Sequence, residues 1–198
     1  YSNPTLTHVT IANNTANIYE ETVGGGMYLY YSVPNLNHVT ISNNTADIGG
    51  GMWLYSSDPN LTNSIIWGNS PESIYLYDEY NEPSIDYSNI EGGWTGEYYC
   101  IGNNEDCNDA NEEDCLNMIV WGLCDEWTNG EGNNINIDPL FNEDYTLQEN
   151  SPCIDTGTII EDMEYCGDAP DMGAFEYITE GCEESTLSGD LNSDGLIN

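Results

Sequence analysis

The sequence predicts an all-β fold of stacked coils, each made of short strands, and three observations carry that prediction. The first is a repeat: Pro4-Thr-Leu-Thr-His-Val-Thr-Ile-Ala-Asn-Asn-Thr15 returns as Pro34-Asn-Leu-Asn-His-Val-Thr-Ile-Ser-Asn-Asn-Thr45, then in weaker form from Pro59 and Pro83. These prolines stand 30, 25 and 24 residues apart, which suits a solenoid whose length differences are absorbed in loops. The second is a glycine-led element between the copies: Gly24-Gly-Gly-Met-Tyr-Leu-Tyr30, Gly49-Gly-Gly-Met-Trp-Leu-Tyr55, then Ile74-Tyr-Leu-Tyr77. The third is period-two alternation of β-branched and aromatic residues in both elements, without a convincing helical period anywhere.

Each coil opens with a strand after its proline. Val9 and Ile11 alternate with His8 and Thr10, and Val39 and Ile41 with His38 and Thr40. Asn13-Asn14, Asn43-Asn44 and Asn69 follow as turn residues, because Asn tolerates the left-handed conformation and its amide can ladder to the next coil. The glycine-led strand comes next. With Met27, Leu29, Met52, Leu54, Ile74 and Leu76 pointing inward, two columns point outward: Tyr28–Trp53–Tyr75 and Tyr30–Tyr55–Tyr77. The variable segments leave room for a third short strand. Neighbouring coils are expected to pair strand on strand at about 4.8 Å.

This pattern resembles the right-handed parallel β-helix proteins, the architecture of pectate lyases and many bacterial surface proteins. The resemblance covers residues 1 to about 92, and the coils are assigned to 1–96. Tyr1-Ser2-Asn3-Pro4 matches Tyr31-Ser32-Val33-Pro34, so the chain is expected to begin at the exit of a glycine-rich strand that it lacks. Farther on, Ile137-Asp-Pro-Leu-Phe141, the run from Asp144 to Gly157, and Asp171-Met-Gly-Ala-Phe-Glu-Tyr177 resemble the choice-of-anchor segment of secreted bacterial proteins. They assign 135–178 as a cap in which Phe141 and Phe175 help close the end of the solenoid. The functional alternative, a sugar site on Asp155 or Asp171, has less support, since Asp-Pro and Asp-x-Gly are common turn formers.

The tail 179–198 reads as a linker followed by Gly189-Asp-Leu-Asn-Ser-Asp-Gly-Leu-Ile-Asn198, which resembles the calcium loop of dockerins and EF-hands. The resemblance makes Asp190, Asn192, Asp194, Leu196 and Asn198 candidate Ca2+ ligands around the Gly195 turn. The acidic ligand at loop position 12 would lie beyond the last residue, so the loop is incomplete and weak binding is expected. A cohesin-like partner is implied if the dockerin repeat is complete in the parent protein.

Composition narrows the partners. Zero Lys and Arg against 36 Asp and Glu leaves no salt bridge to Lys or Arg and nothing to neutralise phosphates. Nucleic acid and anionic membranes are therefore excluded as partners, and a cation-rich exterior, extracellular or at a bacterial cell surface, is the economical setting. Seven cysteines fit an oxidising compartment with at least one left over. Residues 97–134, with Cys100, Cys107, Cys115 and Cys124 in an acidic run, read as a disulfide-stapled insertion, and Cys153 with Cys166 as a further pair.

The catalytic reading is weaker. Lyases of the pectate type neutralise a substrate carboxylate and use a basic residue, which this chain does not contain. The hydrolase type needs only carboxylates, yet its Asn-Thr-Asp, Asp-Asp and Gly-His-Gly signatures are absent, and Asp47 and Asp58 form no close pair in sequence. The column His8–His38–Asn63–Tyr87 is read as a solvated polar stack rather than a metal site. The outward aromatics Tyr28, Tyr30, Trp53, Tyr55, Tyr75 and Tyr77 form the candidate surface. The expectation is thus a non-catalytic secreted or cell-surface module for adhesion or carbohydrate binding, its partner a polysaccharide or a cell-surface protein. The alternative is a piece of an extracellular polysaccharide-degrading enzyme, lyase or glycoside hydrolase, whose active coils lie elsewhere.

Overall fold

The computed structural model describes residues 2–17, 21–78, 80–96 and 133–178, and among them every regular element is a β-strand. Two parallel sheets share one apolar core. The first holds β1 (Thr5–Ala12), β3 (Asn35–Ser42), β5 (Asn60–Thr62), β6 (Ile65–Trp67), β8 (Ser84–Asp86) and β9 (Asn89–Ile90). The second holds β2 (Met27–Tyr30), β4 (Met52–Tyr55), β7 (Ile74–Leu76) and β10 (Trp94–Gly96).

The register follows the sequence repeat. Leu6, Leu36, Leu61 and Ile85 align from coil to coil, as do Ile11, Ile41, Ile66 and Ile90. In the second sheet Met27, Met52 and Ile74 align, as do Leu29, Leu54 and Leu76. All of these belong to or pack against one core, which the alternation places on the inner side.

The third short strand comes from a bend within the first sheet. His8, His38, Asn63 and Tyr87 occupy equivalent positions and all have left-handed φ, between 49 and 53°. That conformation costs a non-glycine residue about 1 kcal/mol. It turns the strand, and in the later coils it separates β5 from β6 and β8 from β9.

Polar ladders compensate at each corner. Beside the bend, Val39 N donates to Ser64 Oγ, Ser64 N to Ser88 Oγ, and Ser88 N to Asn134 Oδ1, all at 3.0–3.1 Å. At the asparagine corner the two residues divide the work. Asn13 and Asn43 take the left-handed turn, replaced by Gly68 in the next coil. Asn14, Asn44 and Asn69 carry the amide ladder, with Asn14 Nδ2 on Asn44 Oδ1 at 2.9 Å and Asn44 Nδ2 on Asn69 Oδ1 at 3.0 Å. At the third corner Ser2, Ser32, Ser57 and Asn81 repeat the scheme through backbone N–H groups.

The glycine runs have a steric reason. A Cβ on Gly25 would lie 2.5 Å from Gly50 O in the next coil, so the backbones meet there without room for a side chain.

The C-terminal segment departs from the expected end cap. Asn134 finishes a serine ladder and Ile135 bridges Asn89, so this stretch begins as a further rung beneath the coils. The chain then returns over the outer face of the first sheet. A second core forms there from Ile65, Leu147, Cys153 and Met172, with Trp67, Tyr87, Ile135, Phe141, Ile154 and Tyr177 packed around it. Phe141 joins this lateral core, and Phe175 is half-buried. The physical reason is the face itself: Ile65 and Trp67 offer apolar surface outside the coil that needs cover.

The expected Cys153–Cys166 disulfide is not formed. Cys153 is a free, buried thiol that receives Asn89 Nδ2 at 3.2 Å, while Cys166 is engaged with a different cysteine. Spacing in sequence could not show that Cys153 faces the sheet as a small core residue. The cysteine-rich insertion falls almost wholly outside the described residues, as does the tail.

Candidate binding face

Burial alternates in β2 and β7, and the in-register pairing carries that alternation through β4, so Tyr28, Tyr30, Trp53, Tyr55, Tyr75 and Tyr77 fall on the outer side of their sheet. In-register pairing sets ring on ring. Tyr28 stacks on Trp53 with centroids 4.8 Å apart and planes within 6°. Tyr30 stacks on Tyr55 at 5.0 Å, and Tyr55 on Tyr77 at 5.3 Å. Trp53 meets Tyr77 at 5.0 Å, tilted, and Tyr75 is half-buried.

This geometry changes what the face presents. The ring planes turn toward one another along the coil axis, so the stack consumes most flat faces and shows ring edges and phenol oxygens outward. Trp53 lies at the centre, only 6% exposed, whereas Tyr28 is 53% and Tyr77 46% exposed. Trp53 therefore serves as the buried anchor of a tyrosine cluster rather than as an open platform.

Sequence reasoning missed one further tyrosine. Tyr31 meets Tyr30 and Tyr55 in edge-on contacts, at 4.6 and 5.3 Å. The signal for Tyr31 was available, since Tyr-Ser recurs at residues 1–2 and 31–32. The Tyr55 hydroxyl is held above the usual phenol range, first by its hydrogen bond with Tyr31 and more weakly by the Asp78 carboxylate.

Carboxylates line both ends of these strands. On the entry side Thr22 N and Oγ1 donate to Asp47 Oδ2 at 2.8 and 2.9 Å, and Gly49 N donates to Glu72 Oε1 at 2.5 Å. On the exit side Ser56 N and Oγ donate to Asp78 at 3.0 and 2.7 Å, and Glu82 N donates to Asp58 at 2.7 Å. Hydrogen bonds from Thr22 lower Asp47, and burial raises Glu72. Asp47 and Asp58 are thus corner caps on separate margins.

The histidine column is not solvated, contrary to its reading from sequence. His8 and His38 do stack, at 4.9 Å, but the C-terminal segment covers them. Asn63 Oδ1 accepts Thr158 N and Asn63 Nδ2 donates to Thr158 O, both at 2.7 Å. Gly173 N donates to Asn63 O, Ala174 N to Thr40 Oγ1, and His8 Nδ1 lies 3.2 Å from Ala174 O. His38 is buried, with Nε2 on Asn63 Nδ2 at 3.0 Å, and burial beside His8 lowers it to about 4. A neutral imidazole bonded in this way is a structural part.

Asp171 and Glu176 sit in the same segment as buried carboxyls. Asp171 accepts Asp155 N and Tyr177 N, and Glu176 accepts Asp171 N and Cys166 N. Burial pushes Asp171 up to about 6 and Glu176 up to about 7. Asp155 Oδ1 accepts Asp168 N at 2.8 Å and Ala169 N at 3.2 Å.

The Ca2+ ligands read from sequence, Asp190, Asn192, Asp194, Leu196 and Asn198, lie outside the described residues. Among the described residues no three histidines, cysteines or carboxylates converge to hold a metal. No family model, curated protein or solved structure matches this chain.

Proposed function

We propose that this chain is the right-handed parallel β-helix portion of a secreted or cell-surface protein, acting as a non-catalytic adhesion module through its aromatic face. One observation carries the reading: a contiguous cluster of exposed tyrosines around the buried Trp53, on the sheet face that the C-terminal segment does not cover. Monomeric proteins rarely leave such apolar surface open without a use. Adhesion is favoured over sugar stacking because a pyranose needs an open ring face, and coil-on-coil stacking closes most of them. In this reading the Asp190–Asn198 loop is a calcium element of the same extracellular protein.

The test removes tyrosines that are exposed and leaves Trp53 in place. A Tyr28→Ala/Tyr30→Ala/Tyr77→Ala variant is compared with the wild type on a panel of immobilised proteins and polysaccharides. Retention of the wild type that falls at least tenfold in the variant, with an unchanged melting profile, is expected. Equal retention of the two proteins overturns the proposal.

A further inference from the structure

The aromatic face lies between two acidic margins. Glu21, Asp47 and Glu72 precede β2, β4 and β7, and Asp58, Asp78 and Glu82 follow the strands on the other side. Glu21, Asp47 and Glu82 are exposed, and the other three are half-buried. Asp47, Glu72, Asp78 and Asp58 are tied to the sheet by the corner hydrogen bonds, so their charge is fixed in place. No Lys or Arg anywhere in the chain offsets them.

We propose that this face binds a basic polypeptide, an extended segment bearing arginines that crosses the tyrosine cluster and ends on the acidic margins. The proposal rests on the reading of this face as the contact surface and names the partner's chemistry. From one margin to the other is the length of a four-residue strand, about 13 Å, the reach of four extended residues. An arginine suits the site doubly. Its planar guanidinium donates to phenol and carboxylate oxygens, and it lies against an open ring such as Tyr28. A neutral glycan would leave the margins unused, and an anionic one would be repelled by them.

A short peptide alternating arginine and glycine, its glutamate counterpart and soluble neutral xylan serve as probes in titrations at about 0.15 M salt, where screening reaches about 8 Å. The arginine peptide is expected to bind, and the glutamate peptide is not. Tyr28→Ala/Tyr30→Ala/Tyr77→Ala leaves the charge unchanged and is expected to weaken arginine-peptide binding at least tenfold. Glu21→Gln/Glu82→Gln, at exposed side chains outside the corner hydrogen bonds, is expected to weaken it about threefold to tenfold. Arginine-peptide binding that is indifferent to the tyrosine substitutions would be general attraction to a polyanion and overturns the proposal. Tyrosine-dependent binding of xylan without binding of the arginine peptide also overturns it, while leaving the face as the contact surface. Binding of neither probe overturns the basic partner, and the panel comparison of the tyrosine variant then decides the adhesion reading separately.

Discussion

Replacing Asn44 by Ala tests whether the asparagine corner holds the coils together. Its side chain is fully buried and makes four hydrogen bonds. Asn44 Oδ1 accepts Asn14 N and Nδ2 at 3.0 and 2.9 Å, and Asn44 Nδ2 donates to Ile11 O and Asn69 Oδ1 at 2.8 and 3.0 Å. A net intramolecular hydrogen bond is worth about 1 kcal/mol, and an orphaned buried carbonyl adds a desolvation cost. Asn14 is exposed, so water rescues its groups, whereas Ile11 O lies deeper. Asn69 Oδ1 keeps the Asn44 backbone N–H at 2.9 Å. The expected loss is therefore about 3 kcal/mol. For a chain of this size that lowers Tm by about 10 °C.

The matched control is Asn14→Ala, which removes one side-chain bond at an exposed position and should cost about 1 kcal/mol or less. Urea titrations of both variants, with the slope checked for constancy, give the comparison. Similar losses for the two, or a loss below about 1 kcal/mol at Asn44, would refute the claim that buried amide ladders carry the stacking.

Three other outcomes follow from the covered side of the sheet. Asp171 and Glu176 are raised by burial, to about 6 and about 7, so the folded state holds their protons more tightly than the unfolded chain. Their contribution is present in full below the ordinary carboxyl range and is lost as pH rises through 6 to 7. Wild-type Tm minus that of Glu176→Gln should accordingly fall between pH 5 and pH 8, and a flat difference would remove the buried-carboxyl account. His38, lowered to about 4, has the opposite sign: its contribution is intact above the usual imidazole value and is lost as pH falls toward 4. Burial pushes the Cys153 thiol up to about 11, with the Asn89 contact opposing. Native protein should therefore leave Cys153 unlabelled by a thiol-disulfide reagent at pH 8, and labelling should follow unfolding; mass mapping that finds it modified in the folded protein would contradict its placement.

The parallel strands and their register were legible because their information is local. Alternation assigned the inner column Leu29–Leu54–Leu76 correctly, and the Asn-Asn pairs announced a turn and a ladder without showing which residue does which. The bend was half visible. His8, His38, Asn63 and Tyr87 were aligned as a column, but their left-handed φ has no signature in residues so unlike one another. What covers that column was out of reach, since Thr158 is 95 residues from Asn63 and its segment reads as turns. A separation of 64 residues from Asn89 likewise hid the fate of Cys153. The aromatic face was identified from sequence, but its character was not. Outward direction follows from period two, whereas the loss of open ring faces follows only from the exact coil register.

The excess of acid takes a different meaning once the corners are seen. Left-handed corners and coil ends leave backbone N–H groups pointing at the next coil, and an acceptor must reach them. Asp47, Glu72, Asp78, Asp58 and Glu91 do so for Thr22, Gly49, Ser56, Glu82 and Gly68. Lysine and arginine have no acceptor to offer, so the corner role selects carboxylates and amides over bases. Each such bond satisfies a dipole without neutralising a charge, and the margins of both sheets stay negative. The C-terminal segment closes the bent sheet with its own neutral backbone on Asn63, Thr40 and His8. The aromatic sheet keeps exposed tyrosines around the buried Trp53 inside the same negative frame. Among the described residues the buried side-chain polar atoms are hydrogen-bonded except Thr10 Oγ1 and His38 Nδ1, so the fold nearly satisfies its dipoles while its net charge stays unbalanced.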